Sequence, residues 1–193
     1  EGVNLVVGTK DRSKIIQYIN EIEDKKKKIN AVGDIMKQKT FEELGFGIYK
    51  ERARAFIKVQ EGCNQFCSYC IIPYARGPIR SRSEENVIKE VKKLVDSGYK
   101  EIVLTGIHIG SYGKDTNTTS LIELIKKVHE IDGIERIRLG SIEPNYISNE
   151  FVKTIKHLKK MCPHYHISLQ SGCDETLKRM NRKYTTLEYK NSV

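Results

Sequence analysis

From Ala55 onward, strand-like and helix-like segments alternate four times, and that alternation leaves few folds open to the chain. Ala55 to Gln60 reads as a strand, as do Glu101 to Thr105, Ile134 to Leu139 and His164 to Gln170. Between them lie amphipathic stretches with helical spacing: Val87, Ile88, Val91, Leu94 and Val95, then Leu121, Ile122, Ile125 and Val128, then Asn149 to Leu158, with Asp174 to Asn181 closing the series. Ser81 with Glu84 and Ser120 with Glu123 have the spacing of helix-starting capping boxes, while Gly98 and Gly133 mark helix ends. Strands separated by helices pair in parallel through right-handed crossovers, so the expected class is α/β, either an open doubly wound sheet or part of a barrel.

Upstream, Val3 to Val7 reads as a buried strand, Gly8-Thr9 as a turn, and Asp11 to Ile22 as a helix with an isoleucine face of Ile15, Ile16, Ile19 and Ile22. Asp24 to Arg54 is charged and aperiodic, with a lysine run from Lys25 to Lys28, and reads as a linker. The chain begins at Glu1 in the midst of such a pattern and stops abruptly at Val193, so a fragment of something larger is expected. The formal charge of +9 favours an anionic partner such as nucleic acid, although the basic excess is spread along the chain as it also is on ordinary solvated surfaces. No stretch approaches the roughly 20 apolar residues of a membrane span, and no signal-peptide pattern opens the sequence, so a soluble cytoplasmic protein without a membrane partner is expected.

The chemistry concentrates in Glu61-Gly62-Cys63-Asn64-Gln65-Phe66-Cys67-Ser68-Tyr69-Cys70, directly after the first strand of the alternation. Five cysteines with three of them in one loop fit a metal site better than a disulfide framework. Soft thiolates this close suit an iron–sulphur cluster or zinc. Structural zinc takes four ligands, usually as two pairs, and Cys162 and Cys173 form no second pair. Three thiolates on a cubane leave one iron open for another ligand. The same spacing also fits the stripe of a buried helix, but Gly62, Asn64 and Pro73 interrupt any such helix.

The cysteine spacing, with aromatic Tyr69 before the third cysteine, resembles the radical S-adenosylmethionine (SAM) enzymes. The wider string from Phe56 to Arg82 is similar to the methylthiotransferases among them. Leu104-Thr105-Gly106-Ile107-His108-Ile109-Gly110-Ser111-Tyr112-Gly113 looks most like the branch acting on threonylcarbamoyladenosine in tRNA. The resemblance covers about Ala53 to Tyr184. It implies residues 1–23 as the tail of the family's amino-terminal domain, 24–54 as a linker, and 55–193 as a truncated radical SAM core, a partial open (β/α) barrel with parallel strands.

The same resemblance implies a 4Fe-4S cluster on Cys63, Cys67 and Cys70, whose open iron chelates SAM and whose electron breaks the sulphonium bond. Adenine would rest near Tyr69 and Ile72, the methionine part near Thr105 and Gly106, and the ribose or amino group near Ser141 and Glu143, with Gln170 facing the same space. All of these follow the carboxyl ends of predicted strands, where parallel α/β folds assemble their sites. Taken singly, Ser141 and Glu143 are equally readable as caps and Gln170 as a strand end. Arg76, Arg80, Arg82, Arg179, Arg182 and Lys183 are candidate phosphate contacts or, equally, surface ion-pair partners. His108 could contact substrate, but a lone histidine in a turn is more often an ordinary polar residue.

The implied partners are tRNA and an electron donor such as flavodoxin or ferredoxin. Complete methylthiotransferases carry three further cysteines for a second cluster and a small RNA-binding domain. Residues 1–62 hold no cysteine, so the full reaction is not expected of this piece alone. Two rival readings stand beside this one: a methylthiotransferase acting on another tRNA adenosine or on a ribosomal protein, and a non-catalytic zinc-stabilised RNA-binding module.

Overall fold

The computed structural model describes residues 2–25, 27–45 and 53–193. It contains a two-stranded sheet near the amino terminus and a four-stranded sheet with helices packed against it. In chain order the elements are β1 (Leu5–Val7), α1 (Ile15–Lys25), β2 (Ile29–Ala31), β3 (Arg54–Glu61), α2 (Ile72–Arg76), β4 (Arg80–Ser81), α3 (Glu84–Asp96), β5 (Glu101–Gly106), α4 (Leu121–His129), β6 (Arg136–Leu139), α5 (Asn149–His157), α6 (Asp174–Arg179) and α7 (Thr186–Ser192). The larger sheet runs β4-β3-β5-β6. β3, β5 and β6 are parallel, and short β4 is antiparallel to the end of β3.

Alternation along β3 sends Ala55, Ile57 and Val59 into the core, while Phe56 remains 54% exposed on the other face. β5, in the middle of the sheet, buries Ile102, Val103 and Leu104 in succession, as a strand covered on both faces must. Val87, Val91 and Leu94 from α3 and Leu124, Ile125 and Val128 from α4 complete the core, at the helical spacing read from the sequence. At the strands' amino ends, Glu101 stands directly opposite Arg54 on one neighbour and Arg136 on the other. Its carboxylate lies 2.8 Å from Arg54, 3.1 Å from Arg136 and 3.0 Å from Arg138. Burial opposes this charge, yet Arg138, Arg54 and Arg136 hold the carboxyl below its ordinary value. One carboxylate thus locks three strands at the end of the sheet remote from the cysteine loop.

Five expectations need correction. The strand read as buried at Val3 to Val7 is not: Val3 is 59% and Val6 45% exposed. His164 to Gln170 is not a regular strand: within it only Ile167 makes an isolated parallel bridge, with Ile142, and Met161 ahead of it makes another with Ile137. Pro163 supplies no N–H, His164 N bonds back to Cys162 O at 2.8 Å, and Gln170 adopts φ 66°, so the backbone cannot sustain a ladder there. The helix after the cysteine loop is capped by Ser83, whose hydroxyl accepts from Asn86 N, and not by Ser81. Ser81 instead donates to Asp115 at 2.5 Å and accepts from Gly113 N at 2.8 Å.

Within the stretch read as a linker, β2 pairs in parallel with β1, Leu5 opposite Ile29 and Val7 opposite Ala31. Lys26 of the lysine run and residues 46–52 of that stretch lie outside the described residues. The isoleucine face of α1 is not buried: Ile15, Ile16 and Ile19 are 42%, 64% and 40% exposed. No helix among the described residues is long and apolar enough to cross a membrane.

Two stability measurements check this architecture. Ser83→Ala should cost about 1 kcal/mol in a denaturant titration, the value of one helix cap. Leu104→Ala should cost about 2–5 kcal/mol, because its side chain is fully buried between sheet and helices.

Candidate iron–sulphur and cofactor site

The site begins with a buried amide at the end of β3. Gln60 is fully buried; its Nε2 donates to Glu61 O and Gly62 O, both at 2.7 Å, and its Oε1 accepts from His108 N at 2.7 Å. One side chain therefore ties the turn that opens the cysteine loop to the turn that follows β5. Gly106 makes room for it, since a Cβ there would fall 2.9 Å from Gln60 Oε1. Gly62 then takes φ 73°, and a Cβ on it would lie 1.9 Å from Pro78 O, so only glycine fits. Cys63 N bonds to Gly77 O at 3.0 Å, and Asn64 Oδ1 accepts from Ile79 N at 3.1 Å, so the returning chain before β4 supports the start of the loop.

Its far side is held by residues more than a hundred positions away. Ser68 N bonds to Met180 O at 3.1 Å, and Asn181 Nδ2 donates to Gln65 O at 3.3 Å and to Phe66 O at 2.8 Å. Arg182 Nη1 donates to Cys67 Sγ at 3.2 Å and Nη2 to Glu143 Oε1 at 2.5 Å. The other Glu143 oxygen lies 2.9 Å from His108 Nε2, and His108 Nδ1 contacts the Ser111 hydroxyl. The His108 ring meets Tyr146 edge-on at 5.2 Å. Burial opposes ionisation of Glu143, but His108 and Arg182 hold its carboxyl below the ordinary value, so it is a carboxylate at neutral pH.

All three loop cysteines are free and partly exposed. Burial pushes the Cys63 thiol up, and although the Gln65 N–H opposes this, Cys67, Glu143 and Cys70 add to it, which places these groups within one electrostatic neighbourhood. A cation-rich centre bound by the thiolates would relieve that crowding. Among the described residues, no three His, Cys, Asp or Glu side chains are grouped closely enough to hold a single metal ion. Zinc would require thiolates about 2.3 Å from one point, whereas a cubane spreads its ligands over separate iron corners. Three soft thiolates in one loop are a donor set that suits an iron–sulphur cluster.

The other residues singled out from the sequence fall around the same sheet end. Thr105 and Gly106 finish β5, and Ser141 and Glu143 follow β6. Ser141 shares a 2.6 Å hydrogen bond with His166. Ile72 opens α2, and Tyr69 is 54% exposed beside it. Gln170 is exposed, and the segment before it is fixed by Tyr184 Oη, which donates to Ser168 O at 2.7 Å and to Leu169 O at 2.6 Å.

Several arginines do not behave as free phosphate contacts. Arg82 is bound by Glu43 and Glu90, each at 2.6 Å, and Arg80 is buried, donating to Pro78 O at 2.9 Å. Gln60, Asn181 and the inward role of Arg182 escaped the sequence reading, as did that of His108. Gln60 had a signal, being a polar residue ending an apolar strand, but the partners of Asn181, Arg182 and His108 are too distant in sequence for any local pattern to reveal them.

Comparison with known proteins bears on this geometry directly. Residues 57–193 match the model of the radical SAM superfamily. The threonylcarbamoyladenosine tRNA methylthiotransferase MtaB of Bacillus subtilis is 48% identical over 185 residues, covering 95% of this chain and 41% of that protein. The tRNA-2-methylthio-N(6)-dimethylallyladenosine synthase of Clostridium tetani is 42% identical over 195 residues, covering 99% of this chain and 42% of that protein. The chain thus spans about two fifths of the length of these curated relatives. Among solved structures, the radical SAM methyltransferase TsrM from Kitasatospora setae aligns with a TM-score of 0.59 over 75% of this chain and 28% of its own, at 16% identity, a likeness of fold. A curled, mainly parallel sheet, three thiols beyond the end of its first long strand and a match spanning residues 57–193 lead to one conclusion: the chain belongs to the radical SAM superfamily.

Proposed function

We propose that this chain is the radical SAM part of a tRNA methylthiotransferase, with Cys63, Cys67 and Cys70 holding a 4Fe-4S cluster. When bound, that cluster would supply one electron to the sulphonium of SAM, opening radical chemistry at an adenine carbon of the substrate. The observation that carries the reading is the way Gln60, Gly62, Asn181 and Arg182 all act to hold one loop of three thiols at the sheet's carboxyl edge.

The chain's own residues have definable tasks. The Gly62 turn and the Gly77 carbonyl place Cys63, and Asn181 places the backbone ahead of Cys67. Tyr69 and Ile72 offer apolar surface for an adenine ring. Thr105 and Gly106 offer main-chain contacts at the carboxyl end of β5. Ser141, Glu143 and Gln170 provide polar groups on the remaining sides. Glu143 contributes chiefly through its charge, since both of its oxygens are engaged by His108 and Arg182.

The substrate assigned is threonylcarbamoyladenosine beside the tRNA anticodon, supported by the string from Leu104 to Gly113 and by the 48% identity to the Bacillus protein. The reaction is shared with the rest of a longer protein. Residues 1–23 fit the end of an amino-terminal domain, because Ile15, Ile16 and Ile19 of α1 remain 40–64% exposed. A flavodoxin or ferredoxin is the class of donor that would deliver the electron, and a cytoplasmic setting suits both the tRNA and the free thiols.

Anaerobic reconstitution tests the cluster. Wild-type protein should bind iron and sulphide in equal amounts and release 5′-deoxyadenosine from SAM under reduction; zinc alone, or a loaded cluster without SAM cleavage, would refute the reading. Each of Cys63→Ser, Cys67→Ser and Cys70→Ser should remove most of the iron and its visible absorbance. Gly62→Ala should also impair loading with all cysteines present, since its Cβ would strike backbone. Deleting the gene that carries this sequence should remove the methylthio group from threonylcarbamoyladenosine in tRNA hydrolysates measured by mass spectrometry; loss from another adenosine, or from ribosomal peptides, would reassign the substrate.

A further inference from the structure

We propose that Arg182 is a positioning residue for the cysteine-bound cluster: by donating to Cys67 Sγ it fixes that ligand and biases the cluster toward its reduced state. The inference rests on the functional reading above, and it differs from both sequence readings of Arg182, a phosphate contact or a surface ion-pair partner. The Arg182 side chain is only 7% exposed, and both ends of its guanidinium fork point inward, one to Cys67 and the other to Glu143. Its cationic carbon stands 5.2 Å from the centre of the Tyr184 ring, which closes another side. The remaining donor, Nε, is buried and without a partner, so a phosphate outside the protein does not reach it.

The register is set by its neighbours. Met180 and Asn181 hold the loop backbone at Ser68, Gln65 and Phe66, so the next residue in the chain arrives at the thiol already aligned. On the far side, Glu143 is fixed by His108 and His108 contacts Ser111, so the fork cannot swing away without breaking a chain of buried contacts.

An N–H donated to a coordinating sulphur, carrying a full positive charge in a partly desolvated place, stabilises added negative charge on the cluster. Glu143 offsets part of that charge, but only the guanidinium gives an N–H to the sulphur. A lysine at this position would keep the charge but, without the planar fork, could not hold both partners at once.

The test compares reconstituted wild type, Arg182→Gln and Arg182→Lys by iron and sulphide content, circular dichroism and an anaerobic redox titration followed by electron paramagnetic resonance. Arg182→Gln should disfavour the reduced cluster about tenfold, a fall of roughly 59 mV in a one-electron midpoint, and Arg182→Lys should fall between it and wild type. A folded Arg182→Gln protein that cannot load iron would equally support the positioning role. A fully loaded Arg182→Gln protein with the wild-type midpoint would overturn it. Should Arg182→Gln not fold, Arg182→Lys decides: a shifted midpoint supports the proposal and an unshifted one defeats it. Wild-type protein lacking iron and sulphide would instead overturn the functional reading itself.

Discussion

The buried amide of Gln60 is the interaction on which the site depends. β3 and β5 pair in parallel, and at their carboxyl ends the chain must leave the sheet twice within a small space. Polar backbone groups freed there would be costly if unpaired. Gln60 satisfies three of them, two carbonyls on its own strand's exit and the His108 amide on the neighbour's. The cysteine loop and the loop after β5 are thereby fixed relative to one another before any cofactor binds. Gly106, which leaves space for that amide, and Gly62, which turns the chain tightly under Pro78, are the steric conditions of the same arrangement.

The two ends of the sheet are built on different principles. At the amino end, Glu101 gathers Arg54, Arg136 and Arg138 across three strands, a locking of register by charge. At the carboxyl end, charge is used to hold a functional loop: Glu143 and Arg182 form a buried pair in which each keeps the other ionised, and the pair is aimed at Cys67. A buried pair of this kind adds little net stability against an apolar substitute, because desolvation consumes most of the attraction. Its value lies in geometry, since a planar guanidinium linking a sulphur and a carboxylate admits few arrangements.

The residues that brace the loop come from the end of α6, far along the chain, while the residues that form it come from the first crossover. Side chains and single backbone bonds thus join the end of the chain to the first crossover where the strand ladder has lapsed. Beyond Ile142 the backbone makes only isolated bridges, and Tyr184, by donating to Ser168 O and Leu169 O, takes over the work of a ladder.

The sequence by itself determined the class of fold and marked the loop in which we place the chemistry. Apolar residues at period two in β3, and at helical spacing in α3 and α4, dictate a parallel sheet covered by helices, because burying those faces is the dominant favourable term. Three cysteines separated by three and then two residues, after a strand, could be read as a metal loop because ligand spacing is local. Only the tertiary structure decided that Arg182 points inward, that His108 and Glu143 form a buried pair, that Ser83 and not Ser81 caps α3, and that residues 164–170 fail to form a strand. Each of these depends on which distant groups compete for a hydrogen bond or a charge, and that competition is settled by packing, which no window along the chain contains.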